Sequence, residues 1–194
     1  MKKNNSSFLL YFFAIIIIVI AVFVRKKLIS GILILTFLIA TAVFFLKNRT
    51  SLTGLPEDNP KNKTVKSTLI FCIILFLFGG VGIVMSEQNL FTELTEKIYA
   101  SGLVVLIMLW FGKAAGKLPF NRNLGLRLPW TIADEETWIV AHRMLEYISL
   151  PLIVIYVALL PFVENRTITM IILICWIGVP SFFSYLFYRK KFKK

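Results

Sequence analysis

Six long apolar stretches, separated by short polar segments, restrict the fold of this chain more than any other feature of its sequence. An α-helix rises about 1.5 Å per residue, so a stretch of about 17 residues reaches about 26 Å, close to the roughly 30 Å hydrocarbon core of a bilayer. The sequence therefore predicts an all-α, polytopic membrane protein with six transmembrane helices. The predicted spans are residues 8–24, 28–46, 69–85, 98–115, 144–163 and 167–188.

The composition excludes the common soluble classes of protein. Hydrophobic residues make up 58% of the 194 residues and charged residues 16%, whereas a soluble domain has about 45–50% and about 25%. So much apolar surface cannot be buried in one small core, which excludes a soluble enzyme, a disulfide-rich secreted domain and a disordered tail. Cys72 and Cys175 each lie inside an apolar stretch, and their spacing indicates neither a disulfide nor a metal site.

Basic residues are distributed unevenly between the two sides of the membrane that six spans would create. Of the 22 Lys and Arg residues, 17 fall at the termini and in the segments 47–66 and 113–143. The positive-inside rule therefore predicts cytoplasmic N- and C-termini, with the turn at 25–27 as a local exception. This sidedness accounts for the net charge of +12, so no nucleic-acid partner is predicted. The basic tail 189–194 predicts contact with anionic membrane lipid.

The chain is predicted to consist of two parts. Residues 1–66 form an N-terminal transmembrane hairpin with a cytoplasmic link, and residues 67–194 form a four-helix transmembrane region. No span centre in either part contains Asp, Glu, Lys, Arg or His. Since ion pathways and proton relays need such residues within the bilayer, the sequence argues against an ion-coupled transporter.

One segment between the fourth and fifth predicted spans concentrates the unusual residues of the chain. Residues 119–143 contain the only His, two of the four Trp, three consecutive acids and three of the seven Arg residues. Thr131 followed by Asp134 is typical of a helix start, where a side-chain oxygen caps free amides and the helix dipole favours acids. The segment is therefore predicted to fold as an ordered lid at the membrane surface, on the cytoplasmic side.

The helix that begins in this segment presents a polar and aromatic face. Its residues Glu135, Trp138 and His142 are spaced to share one side of the helix. Arg122 and Arg127 precede it and are placed to pair with its acids. An alternative without a binding role stays open for each residue, because arginines follow the positive-inside rule, acids cap helices and Trp marks the membrane interface.

A membrane hydrolase is the enzymatic alternative for this segment. The pair Glu135–Glu136 ahead of His142 invites comparison with intramembrane proteases that activate water. A metal site of that kind usually needs three or four ligands, and the chain has a single His. A serine nucleophile elbow is also missing from the sequence. The sequence therefore predicts a protein that is not an enzyme and that needs no cofactor or metal.

The stretch LGLRLPWTIADEETWIVAHR resembles the signature of the SdpI family of bacterial membrane immunity proteins. Its Gly-x-Arg-x-Pro-Trp-Thr, Glu, Trp and His-Arg pattern is matched in order. Two departures are the sequence Met144-Leu145-Glu146, where many members have glycine, and residues 55–60, which match the N-terminal pattern of the family poorly. The predicted binding residues are Arg122, Gly125, Arg127, Pro129, Trp130, Thr131, Glu135, Glu136, Trp138, His142 and Arg143.

The resemblance implies immunity to a secreted peptide toxin or bacteriocin, with the protein in the cell membrane. Two routes are consistent with this expectation: the helices sequester the apolar face of the toxin, or toxin engagement shifts the helices and changes the cytoplasmic lid. The expected partners are the peptide toxin, membrane lipid and, for the second route, a cytoplasmic regulator. The alternative function is a membrane transporter or export factor for a peptide.

Overall fold

The computed structural model describes residues 15, 27–47, 59, 61–120 and 125–192, and the regular secondary structure of these residues is helical. Because these residues include no strand, the predicted all-α class is confirmed for them. The helices are α1 (Lys27–Lys47), α2 (Lys61–Glu87), α3 (Glu93–Ala115), α4 (Pro129–Ala133), α5 (Glu135–Leu159) and α6 (Asn165–Phe192).

Four of these helices, α2, α3, α5 and α6, are long and apolar enough to cross a membrane. They contain all or most of the last four predicted spans. The second predicted span coincides with α1, whose apolar stretch Gly31–Thr41 is shorter. The first, residues 8–24, lies outside the described residues apart from Ile15. The chain is thus a membrane protein with four candidate spans, and the count of six stays a prediction.

The chain divides into two compact units, Met1–Glu96 and Lys97–Lys194. In the first unit α1 packs on α2, and Gly80 allows this contact because a Cβ there would lie 2.6 Å from Leu35 Cδ2. No finding tests the division predicted from the sequence, at residues 66 and 67. In the second unit, α3, α5 and α6 share a buried core formed by Met108, Ala115, Leu145, Ile153, Tyr156, Ile168, Ile172 and Trp176.

Acidic residues cap the starts of α5 and α6. Asp134 caps α5, because its Oδ2 accepts hydrogen bonds from the Thr137 amide at 2.9 Å and the Thr137 hydroxyl at 2.6 Å. Glu164 caps α6 in the same way through Thr167, and these hydrogen bonds from Thr167 lower the pKa of the Glu164 carboxyl. The helix start predicted near Asp134 is confirmed.

Polar side chains connect the helices of the second unit across their apolar contacts. Trp176 donates its indole N–H to Ser149 Oγ at 2.7 Å, which ties α6 to α5. Ser101 on α3 donates to Asn165 on α6 at 3.0 Å. Hydrogen bonds of this kind hold helices together in lipid, where apolar contacts alone discriminate poorly between arrangements.

We expect Ser149→Ala to destabilise the second unit by about 1 kcal/mol, because the buried Trp176 N–H loses its acceptor. Thermal unfolding in detergent micelles measures this change. Ser181→Ala is the matched control, since the Ser181 hydroxyl bonds only to Ile177 of its own helix in the described structure. Equal melting temperatures for the two variants would contradict the assigned role of Ser149.

Candidate functional site

The side chain of Thr131 on α4 shapes the turn 126–128. Its hydroxyl donates to the Leu126 carbonyl at 2.7 Å and accepts from the Leu128 amide at 2.9 Å, and the residue is fully buried. Pro129 occupies the first position of α4, where its missing N–H costs no helical hydrogen bond. Residues 124–143, which resemble the family signature, are called the motif below. The part around Pro129 is a compact turn followed by one short helix.

His142 on α5 fastens this turn to the long helix. Its Nε2 accepts a hydrogen bond from the Leu126 amide at 2.9 Å, and its Nδ1 lies 2.8 Å from the Trp138 carbonyl. An acceptor at Nε2 and a donor at Nδ1 define a neutral imidazole. The ring also stacks on Trp138 at a centroid distance of 3.9 Å, and both side chains are 1% exposed.

Gly125 makes this close contact possible. Its φ is +95°, a conformation that residues with a side chain rarely adopt. A Cβ at this position would overlap His142 Nε2 and lie 2.8 Å from Cη2 of Trp138. The motif therefore requires glycine here for both its backbone conformation and its lack of a side chain.

Trp130 connects the motif to α6. Its indole N–H donates to Ser184 Oγ at 3.0 Å, and its ring meets that of Tyr185 at 5.1 Å in an edge-to-face arrangement. Ser184 is fully buried. The motif is consequently attached to α5 through His142 and to α6 through Trp130.

The acids at the start of α5 pair with the end of α6. Lys191 Nζ lies 2.8 Å from Asp134 Oδ1 and 2.8 Å from Glu136 Oε2. Burial raises the pKa of the Asp134 carboxyl, but hydrogen bonds from Lys191 and Thr137 outweigh burial, so its pKa is lowered. The ion pairs of Lys191 are therefore a second link between the motif and α6, in addition to the hydrogen bond from Trp130 to Ser184.

The structure gives the remaining predicted binding residues different surroundings. Arg127, Glu135 and Arg143 are exposed. Glu135 was predicted to share one helix face with Trp138 and His142, but it is not part of the buried pair that these two residues form. Arg122 lies outside the described residues. Within the described part of the chain, the cation that pairs with Asp134 and Glu136 is Lys191. That part contains no group of three His, Cys, Asp or Glu residues that could hold a metal ion.

Three elements of the site were missed from the sequence: Ser184, Lys191 and the amide of Leu126. Ser184 and Lys191 are separated from their partners by 54 and 57 positions, so no local pattern connects them. The Leu126 amide is a backbone group, which has no sequence signature. The odd placement of a serine in the apolar stretch of α6 is the one signal that was available.

The lowered pKa of Asp134 predicts a pH-dependent contribution to stability. Its carboxylate stabilises the fold above the ordinary Asp pKa of about 3.9, and this contribution is lost as the pH falls through the lower pKa of the folded protein. Because Asn also caps helices well, Asp134→Asn should cost about 0.5–1 kcal/mol at pH 7, and this cost should decrease as the pH falls below the ordinary Asp pKa. Thermal unfolding across this range measures the difference, and a constant difference at all pH values would contradict the charge pairing.

The family comparison agrees with this site. The model of the SdpI/YfhL protein family matches residues 117–184, which include α4, α5 and most of α6. No curated protein and no solved structure matches the sequence. The match confirms the resemblance seen in the motif, and residues 117–184 of this membrane protein are similar to the SdpI/YfhL family.

Proposed function

We propose that this protein is an integral membrane immunity protein, which protects the cell from a secreted peptide toxin or bacteriocin by binding the toxin at the membrane. The SdpI/YfhL match supports the immunity role. The observation on which the proposal depends most is that the motif forms one hydrogen-bonded body, built around His142 and continuous with a membrane-spanning helix.

The rigid, hydrogen-bonded structure of the motif favours a role as a binding surface over a role as a connecting loop. The buried side chains of Thr131 and His142 both bond to the backbone of Leu126, and His142 also stacks on the buried Trp138. Charged side chains remain exposed around them, and exposed charge on a rigid body is a suitable surface for a partner. The exposed charged members are Arg127, Glu135, Glu136 and Arg143.

Both routes of protection can use this architecture. Sequestration would place the apolar face of the toxin against the exposed apolar faces of the spanning helices. Signalling would use α5, which extends from Glu135 to Leu159 with Pro151 inside it and thus joins the motif to the far end of the helix. In that route a cytoplasmic regulator docks on the exposed charges of the motif.

We propose that the N- and C-termini, and with them the motif, are cytoplasmic. The support is the excess of basic residues in the segments on that side. A reporter fused after Phe192 should be active in the cytoplasm, whereas one inserted between α5 and α6 should be active outside. The opposite pattern would contradict this orientation and the regulator route with it.

The test of immunity is expression of the chain in a sensitive strain that is then challenged with a toxin-producing culture. The expected result is survival. Unchanged killing, with membrane insertion confirmed by fractionation, would count against the proposal for that toxin. An inserted but folding-defective variant, such as Gly125→Val, serves as the negative control.

The two routes differ in their response to surface substitutions. If regulator docking is required, Arg127→Ala combined with Glu135→Ala should reduce protection while membrane insertion is retained. If the helices sequester the toxin, the same double variant should protect as well as the unchanged chain. Survival curves at graded toxin doses distinguish these results.

A further inference from the structure

The indole N–H of Trp138 is buried and has no hydrogen-bond acceptor among the described residues. The other indoles of the family region differ, because Trp130 and Trp176 donate to Ser184 and Ser149. An unpaired buried donor is rare and disfavours the state that contains it. Trp138 is therefore a donor that the motif buries but does not use.

The unused donor lies beside His142 Nε2, an acceptor that the backbone amide of Leu126 fills. Both Nε2 of His142 and the Cζ2–Cη2 edge of Trp138, which adjoins its N–H, converge on the position of Gly125. The next residue, Leu126, donates its amide to His142 Nε2. Gly125 is itself exposed, so only this turn separates the buried edge of Trp138 and His142 Nε2 from the surface.

One donor beside one acceptor matches the hydrogen-bonding groups of a peptide backbone, which offers both N–H and C=O. We propose that the Gly125–Leu126 turn occupies a binding site for an extended peptide segment of a polypeptide partner. In the complex a partner amide bonds to His142 Nε2, and a partner carbonyl oxygen accepts from Trp138 Nε1. The turn is then an internal competitor that fills only the first of these two contacts.

The same chemistry disfavours a lipid phosphate as the occupant. A phosphodiester has only acceptor oxygens, so it would pair Trp138 but leave His142 Nε2 without a donor. The absence of a side chain at Gly125 further indicates that the bound segment has a small residue at this point. This inference rests on the proposed function, because it names the class of ligand that the motif recognises.

A peptide copy of the turn tests the proposal. The probe is acetyl-Leu-Gly-Leu-Arg-Leu-amide, which copies residues 124–128, added to the full chain in phosphatidylcholine nanodiscs with ¹⁵N-labelled indoles. Leu126→Pro removes the competing amide, and Thr131→Val removes the hydroxyl that holds the Leu126 carbonyl. Each variant should bind the probe about tenfold more tightly than the unchanged chain, since one internal hydrogen bond no longer competes.

The indole resonances report where the probe binds. Probe binding should move the Trp138 N–H signal towards a hydrogen-bonded position and leave that of Trp176 unchanged. Trp138→Phe in the Leu126→Pro background should weaken probe binding, because it removes the second of the two contacts. If one of the two turn variants does not fold, the other decides the result, and the Trp138 signal of the unchanged chain provides an independent measurement.

Three results would overturn the inference. They are equal probe affinity in the folded variants and the unchanged chain, a Trp138 N–H that is already hydrogen-bonded without probe, and the same shift caused by phosphatidylglycerol alone. None of these measurements involves a toxin or cell survival. Their failure would therefore leave the immunity proposal standing, and a failed survival test would be recognised separately.

Discussion

Gly125→Val is expected to detach the 125–128 turn from α5 and to abolish protection against the toxin. A valine at a φ of +95° is strained, and its Cβ would overlap His142 and Trp138. Together these effects should lower the stability of the motif by about 3 kcal/mol. The turn is expected to move away, because His142 and Trp138 are buried side chains of α5 that have no room to move.

Gly125→Asn separates the two causes. Asn tolerates positive φ better than Val, but it also has a Cβ that meets His142. If steric overlap dominates, Asn should be nearly as harmful as Val, and if backbone strain dominates, it should be close to the unchanged chain. Melting temperature and survival are measured for both, with Arg127→Ala as an exposed control in the same turn for the melting temperature alone. Full protection by Gly125→Val would contradict the role assigned to the turn.

The sequence predicts the elements of the second unit well because their signals are local. Apolar length predicts its long helices, and the Asp134 cap predicts the start of α5. The stacked pair Trp138 and His142 follows from helical spacing alone, since residues four apart are neighbours on a helix. Glu135 has the same register but lies in the first turn, where it is exposed.

The contacts that make the motif a site depend on tertiary packing, which local signals do not contain. The predicted pairing of the acids at the start of α5 with Arg122 lies outside the described residues. Among the described residues, Lys191 reaches Asp134 and Glu136 from the last turn of α6. The sequence predicts lipid contact for this lysine, because a basic tail next to a span usually has this role. Only the antiparallel packing of α5 on α6 brings the end of one helix to the start of the other.

Gly112→Leu is expected to separate α3 from α5 and to destabilise the second unit by about 3 kcal/mol. A Cβ at Gly112 would overlap the side chain of Ser149. Ser149 in turn accepts the indole N–H of Trp176 on α6 at 2.7 Å, so displacing it also weakens the α5–α6 contact. One added side chain therefore disturbs three helices.

Gly102→Leu is the matched control, because it makes the same change on the same helix at a position with no neighbouring atom within 4 Å. In lipid this substitution should be almost neutral, since the new side chain contacts acyl chains. Thermal unfolding in micelles compares the two variants, and survival assays show whether the loss extends to the motif. If α3 serves only as an anchor, Gly112→Leu lowers the melting temperature and spares protection at low temperature. If the contact through Ser149 and Trp176 positions α5 for recognition, protection is lost at temperatures where the variant is still folded.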